Sequence, residues 1–236
     1  MDVMILRMQA PLMSFGETAI DQHRRTDRHP FKSMVVGLMA NALGFGRADG
    51  SDIQNLQEAI DVASRLDRPG TLMSDYQTAV LGKGDGSDRI PSFVAKEAWS
   101  SRGVLMGRSN TDLTFPMTKD YRADACVTVA VSGEAGLLAR IAEAMRFPSR
   151  PLFLGRKACL PSREIFEATV NAEDAAQALF DLPEAEGCNP TSVQWSVRLG
   201  DKGKNPVMRR IPDLKDWVNG IHAGTREVFE APYRTA

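Results

Sequence analysis

Two short basic stretches carry residue types suited to holding phosphate. The first runs from Arg24 and Arg25 through Arg28 to Lys32-Ser33, and the second is Gly155-Arg156-Lys157. In the first, an amphipathic pattern begins at Lys32-Ser33. A helix start presents unpaired N–H groups and a partial positive charge, so cations just before it make an anion site. Ser33 is expected to be the N-cap, its hydroxyl accepting from a first-turn amide. In the second, glycine lets backbone come close to a phosphate while the next two side chains supply positive charge. No glycine-rich loop precedes Lys32-Ser33, so this is not a Walker-type nucleotide site.

Other reactive groups are sparse. Tyr76, Lys119 and Tyr121, with His23 or His29, could assemble a metal-free site that cleaves RNA through its 2′-hydroxyl. Ser14, Ser33 and Cys159 lack a recognisable base and acid, which favours structural roles. Cys126, Cys159 and Cys188 lie far apart, and the histidines are only His23, His29 and His222. Neither a zinc site nor a disulfide scaffold is expected, and a reducing cytoplasm fits. No cofactor and no metal are implied.

The elements that must position these residues follow from periodicity. Val3 to Gln9 reads as a central strand, apolar on both faces. Pro30 to Gly46 places Met34, Val35, Leu38, Met39, Ala42 and Leu43 on one helical face, with Gly44 and Gly46 as a left-handed stop. Ile53 to Ile60 reads as a short helical turn, and Ala59 to Leu66 and Leu72 to Leu81 as strands. Leu81 to Pro116 reads as an excursion, a long hairpin or finger. Tyr121 to Val131 reads as one strand, Glu134 to Phe147 as a helix stopped by Pro148, and Ile165 to Thr169 as a fourth core strand. The expected class is α+β: a ferredoxin-like (RRM-like) domain over residues 1–170 with a projecting thumb at about 81–116. Residues 171–236 are expected to form a smaller β-rich region packed on the first, with a helix at Ala172 to Leu182 and strands at Ser192 to Leu199, Pro206 to Ile211 and Thr225 to Ala231.

A net charge of -1 over 236 residues excludes a uniformly basic nucleic-acid binder, yet the charge is segregated. Between Glu143 and Glu164 every charged residue is basic: Arg146, Arg150, Arg156, Lys157 and Arg163. Lys202 to Pro212 is again basic, and Glu164 to Glu186 is acidic. A basic groove with an acidic back would give this pattern, although charge runs also mark plain solvated faces. The apolar N-terminus is too short, and Arg7 interrupts it too soon, for a signal peptide or membrane span.

The segments LRMQAPLMSFG, HRRTDRHPFKSMVVGLMANALG, DYQTAV, YRADACVTVAV and PLFLGRKACLPS together resemble the fifth CRISPR-associated family. The similarity is to its CasD-type members, subunits of the type I-E Cascade complex within the repeat-associated RNA-binding superfamily. It covers the first two thirds of the chain specifically and the last third loosely. It implies a non-catalytic subunit that holds the 5′ handle of the CRISPR RNA and touches the Cascade backbone subunit and the Cascade large subunit, with target DNA held by the assembled complex. Carried over by position, the handle contacts would be Arg24, Thr26, Arg28, Lys32, Ser33, Gly155, Arg156 and Lys157, with Arg102, Met106 and Arg108 on the thumb. Phe31, Met34 and Gln77 depart from the family's usual threonine, glycine and histidine. Two rival readings are a metal-independent endoribonuclease trimming precursor RNA and a ferredoxin-like protein with no RNA role.

Overall fold

The computed structural model describes residues 1–16, 21–81, 113–202 and 205–233. Its backbone is a seven-stranded sheet with a smaller four-stranded sheet beside it. Strand β1 (Asp2–Gln9) is interior, paired antiparallel with β7 (Cys126–Ser132) on one side and β8 (Phe166–Asn171) on the other. Both its faces are apolar because each meets its own core. Met4, Leu6 and Met8 point to the larger cluster, Val3 and Ile5 to the smaller, as strand alternation requires.

The larger core lies under three helices. Helix α1 (Lys32–Ala42) contributes Val35, Val36, Leu38 and Met39. Gly44, at φ +86°, lets the chain turn back after it, a conformation that a Cβ would oppose. Helix α2 (Gly50–Ala59) is longer than the short turn expected, and a 3-10 turn at Arg47–Asp49 leads into it. Gly46 starts that turn in an extended conformation and is not part of a left-handed stop. Helix α3 (Ala135–Arg146) is capped by Glu134, whose carboxylate accepts from the N–H groups of Gly136 and Leu137, both at 2.9 Å.

Strand β4 (Asp61–Arg68) pairs with β7, giving the order β4-β7-β1-β8 within the sheet. The segment expected as one strand from Tyr121 to Val131 is two. Strand β6 (Leu113–Ala123) belongs to the second sheet, and β7 begins at Cys126. Between them Asp124 adopts φ +55°, tolerated by a short polar side chain. Its N–H donates to Pro11 O and its carbonyl accepts from Arg68, so the break is tied down. Strand β5 (Thr71–Leu81) pairs with β6 from Thr71↔Ala123 to Leu81↔Leu113, so the expected excursion is entered and left by an antiparallel ribbon. Residues 82–112 of it lie outside the described residues. Along its other edge β6 receives β2 (Leu12–Met13) and, in parallel, β3 (His23–Arg24).

The segment after residue 170 prolongs the same sheet. Strand β9 (Ser192–Ser196) pairs with β4, and β11 (Ile221–Pro232) and β10 (Val207–Asp216) follow outward. Helix α4 (Ala175–Asp181) lies across the opposite face of the sheet from α1 and packs Ala175, Ala176, Ala178 and Leu179 on Val3, Ile5, Ala63 and Ala130. Trp195, fully buried there, meets Phe180 and Phe229 with ring centroids 5.7 and 5.9 Å away. Arg65 and Asp67 are fully buried under α4 and paired at 2.6 Å. The guanidinium also donates to the carbonyls of Leu179, Leu182 and Pro183, closing the helix's C-terminal end. No described helix is long and apolar enough to cross a membrane.

Candidate nucleic-acid interface

The turn Leu154–Cys159 is held by Leu154 N–H to Cys159 O at 2.7 Å and Cys159 N–H to Arg156 O at 2.8 Å. It rests on the strand-end residue Ser14, whose N–H donates to Leu154 O at 3.1 Å. Gly155 is required here for packing inside the protein. It has φ +100°, and a Cβ would lie 1.6 Å from the Ser14 carbonyl oxygen. The close approach that glycine permits here is to the Ser14 backbone.

Arg156 is a clamp. Its guanidinium donates to Asp120 O at 2.7 Å and to Arg24 O at 2.8 Å, and it lies 4.6 Å from the centroid of Tyr121. Beneath, Asp120 accepts from Ser74 Oγ at 2.6 Å and meets His23 Nε2 at 2.8 Å. Burial pushes the Asp120 carboxyl up, but the hydrogen bonds from Ser74 and His23 outweigh it and hold it below the usual range.

These contacts bring β3 and the 155–156 turn to the start of α1 and leave a cleft of about 570 Å³. Arg24, Arg25, Arg156 and Lys215 line it together with Phe15, Phe153 and Trp217, and among the described residues no carboxylate does. Arg25 is exposed and Arg24 half-buried, so charge is offered to solvent beside aromatic surface. That combination serves a polyanion with flat, stackable groups.

The expected site residues divide. Arg24, Ser33, Gly155 and Arg156 meet at the cleft. Arg28 and Lys157 are exposed and do not line it. Thr26 turns inward, its hydroxyl accepting from Phe15 N–H at 2.9 Å. Lys32 is 4% exposed and points to the far side of α1, with Nζ donating to Ile60 O at 2.6 Å. Burial pulls its ammonium down to about 8. Arg102, Met106 and Arg108 lie outside the described residues.

The start of α1 also differs from expectation. The N-cap is Phe31, with no side-chain cap, and Ser33 is already inside the helix. The Lys32 N–H donates to Asp213 Oδ2 at 3.2 Å, so the positive end of the helix meets a carboxylate of the chain itself. Asp213 is fully buried and paired with Arg226 at 2.6 Å. The helix end is thus neutralised from within, and the cleft's charge comes from Arg24, Arg25, Arg156 and Lys215.

The residues weighed for cleavage do not form one constellation. Tyr76 pairs with Thr118 and shares the face of His23 and Asp120, whereas Lys119 and Tyr121 occupy the other face of the ribbon. Tyr121 is 6% exposed beneath Arg156. His29 is buried between β4 and β9, its ring nitrogens 2.8 Å from Ser64 Oγ and 3.0 Å from Ser192 Oγ. Burial lowers it to about 4, so it is neutral near pH 7.

Sequence reasoning missed Lys215, Trp217 and His222 on the β10–β11 hairpin. Their signal was Gly37, an isolated glycine inside a helical pattern. A Cβ there would come within 3.3 Å of the Trp217 ring.

The family model described as CRISPR-associated protein (Cas_Cas5) matches residues 3–229. The chain is 27% identical over 187 residues to the CRISPR system Cascade subunit CasD of Escherichia coli (strain K12), covering 78% of each. A chain of a CRISPR RNA-guided surveillance complex superposes with TM-score 0.71 at 23% identity, over 98% of this chain and 89% of that one. A crystal structure of a Cas protein gives TM-score 0.64 at 24% identity, over 98% and 94%.

Proposed function

We propose, for a chain that belongs to the CRISPR-associated Cas5 family, a role as the non-catalytic RNA-binding subunit of a type I-E Cascade complex that holds the 5′ handle of the guide RNA. The observation that carries this reading is the cleft where arginines from two distant loops converge with aromatic rings and no described carboxylate. Phosphates would sit on Arg24 and Arg25, with Arg28 and Lys157 extending the cationic track and Ser33 at the cleft wall. Arg102, Met106 and Arg108 are proposed as further handle contacts by family position.

The core is read as ferredoxin-like: the strand order β4-β7-β1-β8, with helical crossovers after the first and third of those strands in the chain, is that of a βαββαβ unit. In many RNA-binding domains of this type the bare sheet face stacks bases. Here that face is apolar and covered by α4, which directs the RNA to the loop side, where the cleft is. The separation of Tyr76 from Lys119 and Tyr121 supports binding without cutting. The backbone subunit and the large subunit are the proposed neighbours, and target DNA is held by the assembly.

The test is a titration of guide RNA against wild type and Arg24→Ala/Arg25→Ala across a salt series. Weaker binding with a shallower salt dependence supports the reading. Unchanged affinity and slope would overturn it, and a discrete cleavage product from repeat RNA in chelator would overturn the non-catalytic part.

A further inference from the structure

One wall of the cleft comes from the far end of the chain. Trp217 sits at the tip of the β10–β11 hairpin, and α2 holds it there. Its Nε1–H donates to Gln57 Oε1 at 3.0 Å, and its backbone N–H to Gln54 Oε1 at 3.3 Å. Gln57 Nε2 in turn donates to Lys215 O at 2.9 Å, so the same side chain fixes both residues. The edge of the indole lies over Gly37, the one place on α1 where the absence of a Cβ lets the ring descend to the helix. Lys215 Nζ stands 4.4 Å from the ring centroid.

This is an odd investment for a surface tryptophan. Its polar atom is satisfied, its orientation is fixed from two sides and part of the ring packs against the larger core, yet the ring stays half-buried and lines the cleft wall. A ring already immobilised loses little entropy when something stacks on it. Phe15 and Phe153 line the same cleft, as do Ser33 and Asn41, whose Nδ2 donates to Pro151 O at 2.9 Å, and Lys215 adds positive charge.

Resting on the RNA-binding reading above, we propose that this cleft is a slot for one unpaired nucleobase of the bound RNA. The indole of Trp217 is its stacking wall, and the phosphates flanking that base lie on Arg24, Arg25 and Lys215. The C-terminal hairpin is then part of the binding site, and Gln57 and Gly37 are positioning residues acting through Trp217.

The test uses the full chain and synthetic single-stranded RNA of the repeat-derived 5′ segment, with an abasic site placed at one position at a time. One position should cost wild type about ten-fold in affinity, the scale of a single base–aromatic stack. The same abasic site should cost Trp217→Ala nothing further, while Trp217→Phe keeps most of the effect. With 5-iodouridine at that position, the wild-type photo-crosslink should fall on the peptide containing Trp217, a readout that needs no variant to fold. A crosslink elsewhere, no sensitive position, or an equal abasic loss in wild type and Trp217→Ala would overturn the slot. Tight, salt-dependent binding would then leave the RNA reading standing. Absence of any wild-type binding would overturn both.

Discussion

The molecule holds two groups of cations that look alike in sequence and do opposite work. Arg65 and Lys32 are buried and Arg226 is largely covered, and each is consumed by the chain: Asp67 and the end of α4 for Arg65, Asp213 for Arg226, the Ile60 carbonyl for Lys32. Arg24, Arg25 and Lys215 stand at a cleft where no described carboxylate competes for them. Arg156 and Arg24 belong to both groups, since Arg156 donates to two carbonyls and Arg24 to Asp21 O at 2.6 Å while both line the cleft. The lesson is that a cation's role is set by the acceptors the fold brings to it. Some of those acceptors come from far along the chain: Asp213 meets the Lys32 N–H across 181 positions and the Leu179 carbonyl meets Arg65 across 114.

This contrast can be broken experimentally. The largest effect is expected from Asp67→Ala, which strands the buried Arg65. Stability should fall by about 3–5 kcal/mol in urea unfolding, with the RNA affinity of the folded fraction unchanged. Next is His29. Its folded value, about 4, lies below its ordinary 6.5, so the unfolded chain binds the extra proton. Stability should therefore fall as pH drops through that window, by about 3 kcal/mol in all, and His29→Gln should flatten the profile.

The cleft variant Arg24→Ala/Arg25→Ala should behave in the reverse manner to Asp67→Ala. Affinity drops, the slope of log K against log salt decreases by about 1.4 for two lost phosphate contacts, and the unfolding midpoint stays put. The smallest effect is expected from Asp174→Ala. It removes a cap that accepts from Ala176 and Gln177 N–H at 2.8 and 2.9 Å and also takes away the carboxylate partner of Lys202, costing about 1–2 kcal/mol and leaving RNA binding intact.

What was legible in the sequence is what periodicity controls. The first strand, the first helix and the capped third helix were readable because burial repeats every two or every three to four residues. Leu72 to Leu81 was legible as a strand, whereas the partner strand, which starts at Leu113 within the expected excursion, was not. The break at Asp124 was not legible either, since β6 and β7 are both strands and a single left-handed residue leaves alternation almost undisturbed. The site was half legible. Arg24 and Arg156 were found because basic residues next to a helix start and a glycine are local features. Lys32 misled for the same reason: its neighbourhood suggested an anion site, but Asp213 and Ile60 decide its direction. Trp217 was missed because only its contact with Gly37 and Gln57 makes it part of the cleft.

The pairing of β9 with β4 has a consequence for how the molecule is made. Asp61 to Arg68 leaves the ribosome more than a hundred residues before Ser192 to Ser196, so through most of synthesis β4 waits with an open backbone ladder. Until Trp195 arrives, the apolar patch it fills is uncovered as well. A product truncated near residue 170 should therefore precipitate or recruit chaperones, even though every strand of its first half is present.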